Sequence, residues 1–111
     1  MKIEDYEIFE LHADFCKVIA SPKRLMIIKL LDEHELSVTE LCKALDVRPS
    51  NISQHLRVLR SRDIVKTRKE GQTVYYSLTN KKLSKTCEEI RSILLDGMRK
   101  QGEKAKGITG K

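Results

Sequence analysis

Apolar residues return at helical spacing through most of this chain, and the breaks in that rhythm mark its joints. From about Asp5 to Ala20, the residues Ile8, Leu11, Phe15, Val18 and Ile19 fall on one side of a helix. Phe9, Ala13, Cys16 and Ala20 carry apolar character onto the adjoining face. That surface is wider than one small core consumes, and a subunit interface is its natural cover. Ser21-Pro22 restarts the helix, with Ser21 as N-cap and Pro22 at the first helical position, where its missing N–H costs nothing. Leu25, Met26, Ile27, Ile28, Leu30 and Leu31 make this second helix apolar nearly all round, which predicts a central place for it. Asp32-Glu33-His34-Glu35 then forms a polar, solvated loop.

Ser37-Val38-Thr39-Glu40 has the spacing of a capping box, and Val38, Leu41, Cys42 and Leu45 recur at i, i+3, i+4 and i+7. Only Asp46-Val47-Arg48 separates this short helix from a fourth, opened by Pro49, with Ile52, Leu56 and Leu59 as its apolar stripe. Two helices joined so closely make a helix-turn-helix. Beyond Arg62 the period shortens. Ile64 to Lys69 and Gln72 to Leu78 are rich in β-branched and aromatic residues, with Glu70-Gly71 as the turn of a two-stranded hairpin. Such a hairpin is marginal alone and must pack on the helices. Asn80 is placed to cap a last helix bearing Leu83, Cys87, Ile90 and Leu94, widened by Ile93 and Leu95. The pattern predicts a mainly α domain with a small β-hairpin over residues 1–99, and a basic, disordered tail over 100–111.

The chain's 111 residues suit one domain with a modest core, and its net charge of +6 is unevenly spread. Residues 1–20 carry a net −3, whereas residues 57–82 set eight cations against Asp63 and Glu70 and so hold an excess equal to the whole chain's. A polyanion such as double-stranded DNA fits that block, although a basic surface also serves solubility. The block begins on the fourth helix, whose polar face carries Ser50, Asn51, Ser53, Gln54 and Arg57. Asn and Gln can pair with adenine in a major groove and Arg with guanine, while a merely solvated face is the plain alternative. Arg68 and Lys69, near the hairpin tip, suit backbone phosphate or an adjacent minor groove.

No Gly-rich phosphate loop, carboxylate–histidine metal motif or nucleophile motif appears, so an enzyme is not expected. The longest apolar run, Leu25-Met26-Ile27-Ile28, is far too short to cross a bilayer. Three widely spaced cysteines and the absence of a signal-like start point to a cytoplasmic protein rather than a secreted disulfide framework.

Over roughly residues 15–95 the chain resembles the ArsR/SmtB family of winged-helix repressors. The likeness is carried by Ser21-Pro22-x-Arg24-Leu25, by Val38-x-Glu40-Leu41-Cys42-x-Ala44-Leu45, by Ile52-Ser53-Gln54-His55-Leu56-x-x-Leu59 and by Gly71-Gln72-x-Val74-Tyr75-Tyr76-Ser77-Leu78. It implies a winged helix-turn-helix, a homodimer built on the first and last helices, and a palindromic operator with half-sites about one turn apart. It also implies base contacts at the positions of Ser50, Ser53 and Gln54, to which the chemistry of the residues adds Arg48, Asn51 and Arg57. His55 is expected to pack beneath the helix or bond within the protein.

Many members of that family release DNA on binding a thiophilic metal or metalloid, and its familiar sites are incomplete here. The arsenic-type thiolate cluster would need cysteines where Ser37 and Thr39 stand beside Cys42. The zinc-type positions read Asn80, Lys82, Ile93 and Asp96, and the persulfide-type pair reads Lys29 and Leu95. Of the remaining cysteines, Cys42 and Cys87 lie on apolar stripes and read first as small buried hydrophobes, with an effector or redox role for Cys16, Cys42 and Cys87 as the alternative. The sharper form of that alternative has Cys16 and Cys87 meeting at a dimer interface, joined by His12, which otherwise reads as a surface histidine. The competing reading of the whole chain is an architectural DNA binder with little sequence preference and no effector, which a test of sequence selectivity separates.

Overall fold

In the computed structural model, which describes residues 1–102, the chain divides into two units, residues 1–80 and a second beginning at Lys81. The first unit runs α1 (Ile3–Ile19), α2 (Pro22–Leu30), β1 (Leu36–Ser37), α3 (Val38–Leu45), α4 (Pro49–Ser61), β2 (Val65–Glu70) and β3 (Thr73–Leu78). The second holds α5 (Lys82–Lys100). No helix among the described residues is long and apolar enough to cross a membrane. Of the expected tail, Lys100 ends α5, Gln101 and Gly102 form a turn, and residues 103–111 lie outside the described residues.

Local chemistry sets each joint of the first unit. Ser21 accepts from the Arg24 N–H at the start of α2, with Pro22 in the first turn. At α3 the capping box is complete: Ser37 Oγ accepts from the Glu40 N–H at 3.2 Å, and the Glu40 carboxylate accepts from the Ser37 N–H at 2.9 Å. The end of α3 turns through Asp46 in the left-handed region, φ 53°, with the Asp46 and Val47 N–H groups both donating to the Cys42 carbonyl. That bend delivers Arg48 and Pro49 to the start of α4. At the other end of α4, Asp63 (φ 56°) makes a Schellman turn: its N–H donates to the Arg60 carbonyl and the Ile64 N–H to the Leu59 carbonyl. Leu59 and Ile64, both buried, supply the apolar contact such a turn favours.

The sheet has three strands in the order β1-β3-β2, all antiparallel. β2 and β3 pair from Val65↔Leu78 to Glu70↔Thr73, so the turn is Gly71-Gln72, one residue later than expected. Gly71 has φ 61° and Gln72 does not, the signature of a type II′ hairpin. β1 pairs Leu36↔Tyr76 and Ser37↔Tyr75, a third strand that the sequence pattern missed because two residues carry no period.

Ile27 and Ile28 of α2 and Leu31 at its C-cap, Leu41 of α3, and Ile52, Leu56 and Leu59 of α4 are buried together with Ile64, Val65 and Leu78 around the sheet. Burying each such side chain contributes about 1.5–3 kcal/mol. On α2 the burial is one-sided, since Met26 is exposed. On α1 only Ile19 is buried, while Ile3, Tyr6, Ile8, Phe9, Leu11 and Phe15 stand in solvent, Leu11 at 64%. On α5 Ser84 and Cys87 are buried, whereas Ile90, Ile93 and Leu94 are exposed. The α5 N-cap is Lys81, one residue past the expected Asn80.

Candidate nucleic-acid interface

With Ile52, Leu56 and Leu59 turned inward, helical geometry aims Ser50, Gln54 and Arg57 directly away from the core. All three are exposed, as are Arg48 at the N-cap and Asn51, while Ser53 is half-buried. Val47, Arg48, Ser50, Asn51 and Gln54 line a shallow depression at the start of the helix. Ser53, Leu56, Arg57, Arg60, Ser61 and Tyr76 line a second, between α4 and β3. The expected residues of α4 thus share one continuous outward surface. Arg60 and Tyr76 extend that surface and were missed: Arg60 sits toward the β3 side of the helix, and no helical period links Tyr76 to α4. Among the described residues Arg48, Arg57, Arg60, Lys66 and Lys69 form no ion pair, so their charge is available to an anion.

One flank of α4 is braced. Arg24, half-buried in the first turn of α2, donates from Nε to His55 Nδ1 at 3.2 Å and from Nη1 to the Val18 carbonyl at 2.6 Å. A guanidinium only donates, so Nδ1 of His55 is bare and the ring is neutral with its proton on Nε2. Burial, then the charges of Arg24 and Lys23, hold the His55 pKa below its ordinary 6.5. As pH falls, the unfolded chain takes up this proton before the folded one does. The contribution is therefore full above the unfolded value and is lost as pH falls through the folded one. We expect the urea midpoint to drop between about pH 7 and about pH 5, and to drop less in His55→Asn, which keeps an acceptor but cannot titrate. Equal drops in both proteins would contradict this.

The hairpin departs from expectation at Arg68. Its guanidinium donates from Nε to Glu35 Oε1 at 2.8 Å and from Nη1 to Glu70 Oε2 at 3.1 Å, and lies 5.0 Å from the centre of the Tyr75 ring. These hydrogen bonds, the one to Glu35 first, raise the already high Arg68 pKa; the same bond lowers that of Glu35. Arg68↔Tyr75 and Ser37↔Tyr75 are registered neighbours, so Arg68 crosses the sheet and ties β2 to the segment before β1. Its charge is already matched by two carboxylates. Lys69 and Lys66 on the same strand are exposed and, among the described residues, form no ion pair.

The three cysteines are free thiols: Cys16 exposed on α1, Cys42 half-buried on α3 and Cys87 buried on α5. Among the described residues no group of three or more His, Cys, Asp or Glu is placed to hold a metal ion.

The arsR family of bacterial regulatory proteins matches residues 21–67, the segment from the α2 cap into β2. The nodulation protein NolR of Rhizobium meliloti is 36% identical over 93 residues, covering 84% of this chain and 76% of its own. The transcriptional activator HlyU of Vibrio cholerae is 43% identical over 77 residues, covering 69% of this chain and 71% of its own. Among solved structures, the transcriptional repressor BigR of Xylella fastidiosa superposes with a TM-score of 0.72 at 34% identity, over 84% of this chain and 96% of its own.

Proposed function

The chain belongs to the arsR family of bacterial regulatory proteins and is a DNA-binding transcriptional regulator, and we propose that it represses by binding an inverted-repeat operator as a homodimer. The observation that carries this reading is the outward face of α4, where Ser50, Asn51, Gln54 and Arg57 are exposed beside Arg48 and Arg60, which form no ion pair among the described residues. Gln and Asn amides and an Arg fork read base edges in the major groove, and the remaining cations hold phosphates. The repressor sense follows the role named for BigR. The homodimer rests on the apolar residues of α1 and of α5 that stand exposed among the described residues. Two copies would set two α4 helices in successive major grooves. The protein acts in the cytoplasm, on DNA, without catalysis.

Phosphate contacts at the wing fall to Lys69 and Lys66 rather than to Arg68, whose charge is already paired. Gln54→Ala should cost ~1–3 kcal/mol, concentrated at one base position, whereas Lys69→Ala should weaken every sequence alike. Binding to a panel of single-base operator variants, against random DNA, checks both. Equal losses on operator and random DNA for Gln54→Ala would remove it from the reading set.

A further inference from the structure

The flank of α4 that carries the Arg24 brace also carries a second one. Asp14 of α1 pairs with Arg62 at the C-cap of α4, and Val18, whose carbonyl Arg24 holds, lies one turn further along the same side of α1. On α4, His55 and Arg62 are seven residues apart and share one row. Asn51, four residues before His55, continues that row beyond the brace and onto the exposed surface. Arg24 of α2, bridging His55 to α1, and the Asp14–Arg62 pair therefore hold one row of α4, and the free end of that row is a candidate base contact.

We propose that Arg24 is a positioning residue for DNA recognition: acting through His55, it fixes the rotation of α4 against α1 and so aims Asn51 and Gln54. This deepens the proposed function and rests on it. Arg24 suits the task because its fork reaches two acceptors on two elements from a third. The Val18 carbonyl belongs to the last turn of α1, where backbone acceptors lack helical partners and the helix dipole favours a cation. His55 offers a bare nitrogen one residue from Gln54. A lysine's single ammonium lacks the planar fork that spans two separated acceptors. The Asp14–Arg62 pair is exposed and contributes little by itself, so the Arg24 brace is the principal one.

The test selects DNA from a random pool with the wild-type protein and then compares the enriched sequence with random DNA for four variants. Arg24→Lys and His55→Leu should bind the enriched sequence on the order of tenfold more weakly, the loss of a charge-assisted hydrogen bond, with random-DNA binding and sedimenting mass unchanged. His55→Asn places an acceptor near the former Nδ1 and should recover most of that loss. Asp14→Asn should change binding less than threefold. Folding is checked for each variant by its thermal transition, and Arg24→Lys and His55→Asn are mild enough to serve if His55→Leu is unfolded. Wild-type selectivity in folded Arg24→Lys, equal losses on both DNAs, or His55→Asn no better than His55→Leu would each overturn the proposal. If the wild type itself enriches no sequence, the parent reading fails, and this one with it.

Discussion

Leu11→Asp on α1 is expected to leave the first unit folded while abolishing the proposed dimer, and to weaken binding to the proposed operator by about 10²–10⁴-fold. Leu11 is 64% exposed in the single chain, so a carboxylate there meets no core and little stability is lost. In a dimer built on α1, the same carboxylate would be buried against an apolar partner face without a cation, which association cannot tolerate. Once the subunits part, each α4 must hold its half-site alone, and the local concentration supplied by the linked partner is gone. Sedimentation at micromolar protein should show half the wild-type mass, with the thermal transition of the isolated unit retained. A Leu11→Asp protein that keeps the wild-type mass and affinity would place the interface elsewhere.

The second large effect is on stability. Leu56 is 1% exposed, between Ile52 and Leu59 on the inner stripe of α4, and Leu56→Ala should cost ~2–5 kcal/mol. The upper end approaches the whole stability of a small domain, about 5–15 kcal/mol. The loss has two parts, the apolar surface no longer buried and the cavity that the rigid surroundings of α2, α3 and the sheet cannot fill. Leu56→Met, which nearly conserves volume, should cost less than about 1.5 kcal/mol. Urea unfolding at fixed protein concentration measures both; a Leu56→Ala loss under about 1 kcal/mol would mean this stripe is not the core. Because the outward face of α4 is held by this inward one, DNA binding by Leu56→Ala should fall with the folded fraction.

Features set by short sequence separation were legible before the fold was known. The Ser37–Glu40 box, Pro22 and Pro49 in first turns, and the stripe of Ile52, Leu56 and Leu59 rest on neighbours within about two turns, and each stands where the spacing placed it. The outward set of Ser50, Asn51, Gln54 and Arg57 follows from that stripe by helical geometry alone. What escaped depends on partners far apart in sequence. Arg68 reads as a free wing cation until Glu35, 33 residues away, is seen to hold it. Arg24 and His55 are 31 residues apart, and neither announces the other. β1 is too short for a period, and Tyr76 joins the α4 surface only because β3 passes beside it. The width of apolar surface on α1 was visible, but its extent was not: of the α1 residues Ile19 alone is buried.

The measurement that bears most directly on the central claim is fluorescence anisotropy of DNA from upstream of this protein's own gene, titrated at fixed salt with random DNA of equal length as competitor. A sequence-reading dimer should prefer its site by ~10³-fold or more, with one dimer per site. Equal affinity for both DNAs would contradict the account and leave a basic protein that binds duplex without reading it.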